Sequence, residues 1–265
     1  MLKCPACGRE FRFEMPFCPD CGENPKPKPR PDAHGSGNTP MDRVVSGERR
    51  LVGNIIPVMK DFFSGVERAT GYSHSADVML SPSLMISTFG MGLVSLPVWA
   101  TGPEQIRKLY LEWTNGNEAL ARRWFDLSFY WFYYVHELGH SIQDQMCGVR
   151  SFDLYESEMN ANEWATAFWY SRPRTTEHDE WEKMTDAIIA WGVKKGYPED
   201  VSGKQFKHHS SCEIGYYGYQ EWKLVKDCYL KRGELTYDKM VSMWAPVLIQ
   251  ALKGQSQAAV KEASK

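Results

Sequence analysis

Five consecutive residues, His136-Glu137-Leu138-Gly139-His140, combine two imidazoles and a carboxylate at a spacing that could bind and use a metal ion. On an α-helix, positions i and i+4 lie about 40° apart around the axis, so both imidazoles face the same side. Glu137 borders that side, where its carboxylate could take a proton from a metal-bound water. The spacing HExxH therefore predicts a zinc site that hydrolyses peptide bonds, with His136 and His140 as ligands and Glu137 as the general base.

A catalytic zinc site needs a third protein ligand and an open position for water. No histidine follows closely enough to complete the spacing HExxHxxGxxH, but a downstream helical segment offers Glu158. Asn162 lies one turn further on and could orient a ligand histidine by hydrogen bonding. The small Ala161 on the same side would let the two helices approach closely. We expect Glu158 to be the third ligand, because Glu156 and Glu163 point elsewhere on the helical wheel.

The sequence HELGH followed by ExxANxxA, from Glu158 to Ala165, resembles the gluzincin metallopeptidases. It is most similar to the ImmA/IrrE-like families and to the bacterial neutral zinc metallopeptidases, in which HExGH precedes ExxAD. The similar stretch covers about residues 130–170. The resemblance implies zinc at the two histidines and Glu158, with the glutamate of HExxH as the base. It also implies an α+β, zincin-like fold that is mostly helical, with a small mixed sheet over the HExxH helix. Asn162 replaces the Asp of some relatives, which keeps the hydrogen bond and weakens the charge.

Two cysteine pairs near the N-terminus, Cys4-Pro-Ala-Cys7-Gly and Cys18-Pro-Asp-Cys21-Gly, predict a second metal site. Each pair turns two thiolates inward, and four thiolates make a closed tetrahedral zinc site without a water position. The pattern resembles short zinc ribbons, and we assign residues 1–24 to such a structural module. Two disulfides or redox pairs are the alternatives. Because so short a module has little core, zinc should supply most of its folding energy.

The partner of this ribbon is open in the sequence. Residues 1–31 hold six Lys or Arg against four acidic residues, a small surplus for a nucleic-acid surface. Docking to a protein or recruiting a substrate is therefore at least as well supported as weak contact with nucleic acid.

Residues 25–47 alternate proline with cations and then become rich in glycine, which predicts a stiff linker ending in a hinge. Residues 48–254 suit one metallopeptidase domain, and residues 255–265 suit a flexible tail.

Several elements must position the HExxH motif. An apolar aromatic run precedes it, and we predict one helix from a cap at Asn117 to Gly148. The resemblance implies that an edge strand of the sheet binds extended substrate, and by that resemblance residues 92–96 are our candidate edge, with a structural hairpin as the alternative. The remaining predicted elements are helices over 48–70, 103–113 and 176–195 (capped by Thr176), a helix after Thr236 kinked at Pro246, and strands at 78–80, 84–86 and 93–99.

Peptide hydrolysis also requires hydrogen-bond donors that stabilise the oxyanion formed as water attacks the carbonyl. Enzymes of the resembled class often take a Tyr or His from beyond the third ligand. The candidates here are His208, His209, Tyr217 and Tyr219, and we expect the two tyrosines on a turn made flexible by neighbouring glycines. Surface histidines and tyrosines at the edge of the core are the alternatives.

The composition indicates more about the cellular compartment than about the binding partner. A net charge of −2 implies neither an acidic nor a basic partner for the whole chain. The N-terminus has no apolar signal stretch, and the apolar run before the motif is shorter than the roughly 20 residues of a membrane span. Cys147, Cys212 and Cys228 remain outside the ribbon, an odd number that suits a reducing environment. We therefore expect a cytoplasmic protein without a transmembrane segment.

Together, these patterns predict a zinc metallopeptidase that acts on a peptide or protein substrate and holds one catalytic and one structural Zn²⁺. Two alternatives stay open. One is a regulatory protease specific for a single partner such as a repressor, which the ImmA/IrrE resemblance implies. The other is a non-catalytic protein whose ribbon recruits a partner while the peptidase fold only binds peptide.

Overall fold

The computed structural model describes residues 2–3, 10–11, 40–81, 84, 87–90, 92–146 and 149–263. Within the N-terminal region, strand β1 (Leu2–Lys3) pairs antiparallel with strand β2 (Glu10–Phe11). The predicted ribbon ligands lie outside the described residues, as do most of the predicted linker and Cys147. The four ligands concerned are Cys4, Cys7, Cys18 and Cys21. The ribbon therefore stays a prediction.

The described chain is mostly helical with a small mixed sheet, which confirms the α+β class. The α-helices are α1 (Pro40–Thr70), α2 (Glu104–Trp113), α3 (Glu118–Leu127), α4 (Tyr134–Gln145), α5 (Leu154–Tyr170), α6 (Thr176–Lys194), α7 (Ile214–Leu230) and α8 (Tyr237–Ala263). A π-helix, Ser128–Tyr133, joins α3 to α4. Two 3₁₀ turns, Gly203–Gln205 and His209–Ser211, lie between α6 and α7. None of the helices described is both long and apolar enough to cross a membrane.

Helix α1 buries one apolar face against the core. Its apolar side chains recur at helical intervals, and all of those predicted to face the core are buried: Ile55, Ile56, Met59, Phe62, Phe63 and Val66. The helix begins at Pro40, so the prediction that the linker runs to residue 47 is wrong. Proline suits the first helical position because the N–H it lacks has no partner there.

The C-terminal helix is also longer than the sequence suggested. Helix α8 passes through Pro246 and ends at Ala263, so most of the predicted tail over residues 255–265 is helical. The expected cap at Thr236 is present, since its Oγ1 accepts a hydrogen bond from the backbone N of Lys239 at 3.3 Å.

The sheet has the order β3-β5-β4, with strands β3 (Asp77–Ser81), β4 (Thr88–Gly90) and β5 (Leu93–Pro97). Strand β5 is parallel to β3 and antiparallel to β4. The predicted substrate-binding edge at residues 92–96 is therefore wrong, because β5 is the central strand. The strand expected at 84–86 is not found at Leu84, and the third strand is β4 instead.

The single helix predicted from residue 117 to 148 is divided into α3, the π-helix and α4. Its cap is as predicted, since Asn117 Oδ1 accepts a hydrogen bond from Leu120 N at 3.0 Å. A π-turn holds one residue more than an α-turn and so rotates the side chains that follow it. The aromatic run can then pack on several helices at once: Trp131 stacks on Trp169 of α5 and Phe132 on Trp181 of α6.

Helix α6 begins at Thr176, the residue predicted to be its cap, so the cap lies one residue earlier than predicted. Thr175 is the cap, not Thr176, and His178 completes a capping box by accepting a hydrogen bond from Thr175 N at 3.0 Å. The helix ends at Lys194. His178, a buried histidine outside the HExxH motif, thus has a structural use.

Candidate metal centre

The HExxH motif lies on α4, and the third predicted ligand lies on α5, packed directly against it. A β-carbon added to Gly139 would lie 2.9 Å from the Cα of Ala161, so the two backbones touch where the motif has glycine. Helix α5 begins with a capping box in which Asp153 Oδ1 accepts from Glu156 N at 2.8 Å. Glu156 is therefore used in starting the helix, and Glu158 lies on the face towards α4.

Three side-chain atoms converge between these helices. His136 Nε2 lies 3.0 Å from His140 Nε2 and 3.1 Å from Glu158 Oε2, and His140 Nε2 lies 3.4 Å from the same oxygen. Ligands at 2.0–2.1 Å around a tetrahedral zinc ion are separated by about 3.3–3.4 Å. Two imidazoles and one carboxylate are also a donor set typical of catalytic zinc. The group could therefore hold a metal ion.

Both histidines are oriented by hydrogen bonds from their other ring nitrogen. His136 Nδ1 donates to Asn162 Oδ1 at 2.9 Å, and His140 Nδ1 donates to Gln143 Oε1 at 3.1 Å. Ser157 Oγ donates to the same Gln143 oxygen at 2.7 Å. These bonds leave each Nε2 lone pair directed at the shared point. Asn162 has the position that the sequence predicted, whereas Gln143 and Ser157 were missed, although each stands within three residues of a predicted ligand.

The charges of this group explain why it suits a cation. Burial would raise the pKa of Glu158, but hydrogen bonds donated by the protonated forms of His136 and His140 outweigh it and hold that pKa well below its usual range. Burial would lower the pKa of His140, but its hydrogen bond with Glu158 reverses the shift and raises the pKa to about 10. Positive charge between the three side chains is thus stabilised by the buried carboxylate, and a divalent cation would supply that charge.

Glu137, the predicted base, is 4% exposed and borders the same cavity. Ser87, just before β4, donates a hydrogen bond from Oγ to Glu137 Oε1 at 2.7 Å. Burial raises the pKa of Glu137 above its ordinary value, which makes the carboxylate a better proton acceptor. Ser87 was missed because it is fifty residues away in the chain and has no local signal.

The cavity in front of these groups has a volume of about 330 Å³. His208, His209 and Tyr217 line it, so three of the four predicted oxyanion donors face the candidate metal site. The structure does not bring Tyr219 to this cavity, and its ring packs against Gly192 of α6 instead. The predicted flexible turn is wrong, since both tyrosines lie within α7.

Helix α7 packs against α5 and forms a second wall of the cavity. The α7 residues that line the cavity recur at helical spacing: Ile214, Tyr217, Gly218, Glu221 and Trp222. Burial and then the negative charge of Glu221 raise the pKa of Tyr217 well above its usual value, so this hydroxyl keeps its proton. Glu221 was missed by the sequence analysis, although a single carboxylate in an apolar helical stripe could have marked it.

Tyr133, the last residue of the π-helix, was also missed. Its ring centroid lies 5.3 Å from that of His136, and burial raises its pKa well above the usual value. It forms part of the cavity wall beside the candidate ligands. The π-turn that places it there follows no simple sequence rule.

Comparisons of the chain with protein-family models, with curated proteins and with solved structures found no match. The motif and the geometry of the cavity are therefore the evidence for function.

Proposed function

We propose that this protein is a zinc-dependent metallopeptidase of gluzincin type. The observation that carries the proposal is the convergence of His136 Nε2, His140 Nε2 and Glu158 Oε2 beside Glu137, at the wall of a cavity. A purely structural zinc site would be closed by four protein ligands. Here three ligands face a cavity, which leaves a position for water and substrate.

The general base of the proposed reaction is Glu137. When bound, zinc would act as a Lewis acid and lower the pKa of a water molecule. Ser87 fixes Oε1 of Glu137, which leaves Oε2 to accept the proton released by that water. Glu137 then donates the proton to the nitrogen of the leaving amine. Its raised pKa suits both transfers. A carboxylate with a very low pKa would accept the proton poorly, and one with a very high pKa would release it slowly to the amine.

Tyr217 is our candidate for the donor to the oxyanion. It lines the cavity, it is buried, and it keeps its proton at neutral pH. His209 is the second candidate, and burial followed by the neighbouring His208 lowers its pKa, so it would act as a neutral donor.

Strand β4 is our candidate for binding extended substrate. Among the described strands, β4 pairs only with β5, and it follows directly after Ser87. Phe89 of β4 lines the cavity. A peptide added to this edge by main-chain hydrogen bonds would pass Glu137 and the metal ligands.

The substitution Glu137→Gln tests this function, because it removes the base and leaves the ligands in place. We expect the variant to keep its zinc and to lose hydrolysis of casein and of a mixed peptide library. Glu199→Gln, a carboxylate-to-amide change in an exposed loop, is the matched control and should keep full activity. Zinc binding without hydrolysis by the wild type would favour a peptide-binding protein. Cleavage of one partner and no general substrate would favour a regulatory protease.

A further inference from the structure

The carboxyl group of Glu221 is buried in the cavity wall with one oxygen unpaired. The residue is 4% exposed, and its Oε2 accepts a hydrogen bond from Asn162 Nδ2 at 3.5 Å. No hydrogen bond of normal length reaches its Oε1 in the part of the chain that the structure describes, and the Tyr217 hydroxyl is a nearby donor that lowers the pKa of the carboxyl group. An unpaired buried oxygen of this kind is destabilising and uncommon in native proteins. A ligand that supplies the missing donor would explain why the residue is there.

The surroundings of Glu221 are apolar on one side and acidic on the other. Trp222 is the next residue of α7, and Leu109 and Trp113 of α2 pack against the same helix at Gly218 and line the cavity beside it. Among the described residues that line the cavity there is no Lys or Arg, whereas four carry carboxyl groups: Glu137, Asp144, Glu158 and Glu221. Burial, and then the charge of Glu158, raise the pKa of Glu221 well above its usual value. A cation next to this carboxyl group would offset that rise and an anion would add to it, so the space favours a cationic ligand over an anionic one.

We propose that Glu221 binds a primary ammonium group of the substrate, carried on an apolar stem that packs against the walls of α2 and α7. The inference rests on the proposed peptidase function and names the substrate class. An ammonium carries three hydrogen-bond donors and can satisfy a single oxygen from several directions. A guanidinium pairs best with both oxygens of a carboxylate, and one oxygen of Glu221 already accepts from Asn162. The ring of Trp113 could also contact the cation or its methylene groups.

Two parts of a peptide carry such a group: the side chain of a lysine and the free N-terminal amine. Both present the same chemistry to Glu221. They differ in what lies between the ammonium and the scissile bond. Peptides modified at either the lysine side chain or the N-terminal amine therefore tell the two sources apart.

The first experiment measures binding without any turnover. The full-length, zinc-loaded protein is titrated with n-pentylamine, with n-pentanol as the neutral probe of equal length, and with n-butylguanidine. Tryptophan fluorescence is the readout, because Trp113 and Trp222 line the cavity. We expect the amine to bind about tenfold or more tightly than the alcohol, the range of a hydrogen bond to a charged group. The guanidine should bind more weakly than the amine.

Two variants assign the preference to one carboxylate. Glu221→Gln should bind the amine and the alcohol about equally, whereas Asp144→Asn, an exposed carboxylate on the same cavity, should keep the preference. Equal binding of the two probes by the wild type would overturn the proposal without any variant. It would also be overturned if Glu221→Gln kept the preference. Zinc loss from Glu221→Gln together with equal probe binding in the wild type would show that Glu221 only supports Asn162.

The second experiment uses matched peptides and tells the two sources apart. In the first pair both peptides are acetylated at the N-terminus, and one contains lysine where the other contains norleucine. In the second pair neither peptide contains lysine, and one has a free N-terminus where the other is acetylated. The pair with the larger difference in kcat/KM identifies the source. If no peptide is cleaved but the amine preference holds, the peptidase function fails and the ammonium site stands. If peptides are cleaved equally well with and without an ammonium, the function stands and this inference fails.

Discussion

The two walls of the cavity differ in how their polar side chains are satisfied. On the wall made by α4 and α5, the two candidate histidine ligands and the base each have a protein partner, in Asn162, Gln143 and Ser87. On the wall made by α7, no hydrogen bond of normal length reaches Glu221 Oε1 within the described chain. The first wall is held in one geometry, as metal binding requires. The second has hydrogen-bonding capacity left over, which suits the recognition of a ligand.

The largest effect should come from removing one hydroxyl from α7. Tyr217→Phe should lower kcat by about 10²–10³-fold, because one oxyanion donor contributes that much in comparable sites. Tyr219→Phe is the matched control two residues along the same helix. Its hydroxyl is buried without a partner among the described residues, so its removal should change kcat by less than about twofold. Equal losses in both variants, measured by steady-state hydrolysis, would remove Tyr217 from the reaction.

The hydrogen bond to His136 should have the next largest effect. Asn162→Ala should weaken zinc binding by about 10–100-fold, as is usual for loss of a group that orients a metal ligand. The measurement is competition with a chromogenic chelator.

The same position also tests whether the two walls are coupled. Asn162→Asp gives the residue of some resembled families and places a second carboxyl group next to Glu221. We expect this variant to bind zinc more tightly than the wild type, because a carboxylate bonded to His136 raises the basicity of that ligand. Glu221 should limit the gain, because its charge raises the pKa of the new carboxyl group, so the substitution should tighten zinc binding more in a Glu221→Gln background. An equal effect of Asn162→Asp with and without Glu221→Gln would mean that the two walls are not coupled.

The smallest effect concerns the contact between the two helices of the metal wall. Gly139→Ala should lower the free energy of unfolding by about 1–3 kcal/mol, because the new methyl would overlap the backbone of Ala161. Gly53→Ala is the control, since a β-carbon there meets nothing within 4 Å and the position is exposed in α1. That variant should be more stable by up to about 1 kcal/mol. Urea unfolding measures both, and equal shifts would show that α4 and α5 can separate without cost.

The difference between the walls also separates what the sequence could predict from what it could not. His136, Glu137, His140, Glu158 and Asn162 stand at fixed spacings within two helices, so local periodicity was enough to bring them together. Ser87 meets Glu137 only through the packing of the sheet on α4, which no local spacing encodes. The central position of β5 likewise depends on its pairing with both β3 and β4. Periodicity in the sequence cannot tell a central strand from an edge strand.

Helix α7 was misread for a specific physical reason. The glycines in Gly215-Tyr-Tyr-Gly218 indicate a turn by composition. In the structure both are helical, and a β-carbon on Gly215 would lie 3.1 Å from the ring of Trp191, and one on Gly218 would lie 3.2 Å from the ring of Trp113. These glycines allow aromatic side chains to approach the helix closely. Here glycine permits close packing and not a flexible turn. The sequence does not distinguish these two uses, because they depend on the neighbours in three dimensions.

The most direct test of the central claim is the zinc content per chain of the wild type, His136→Ala and Cys4→Ser, by elemental analysis of the purified full-length proteins. The account predicts two zinc ions in the wild type, with each variant losing one. It also predicts that His136→Ala loses hydrolytic activity. A single zinc ion that survives in His136→Ala would contradict the metal centre between α4 and α5, and with it the proposed peptidase.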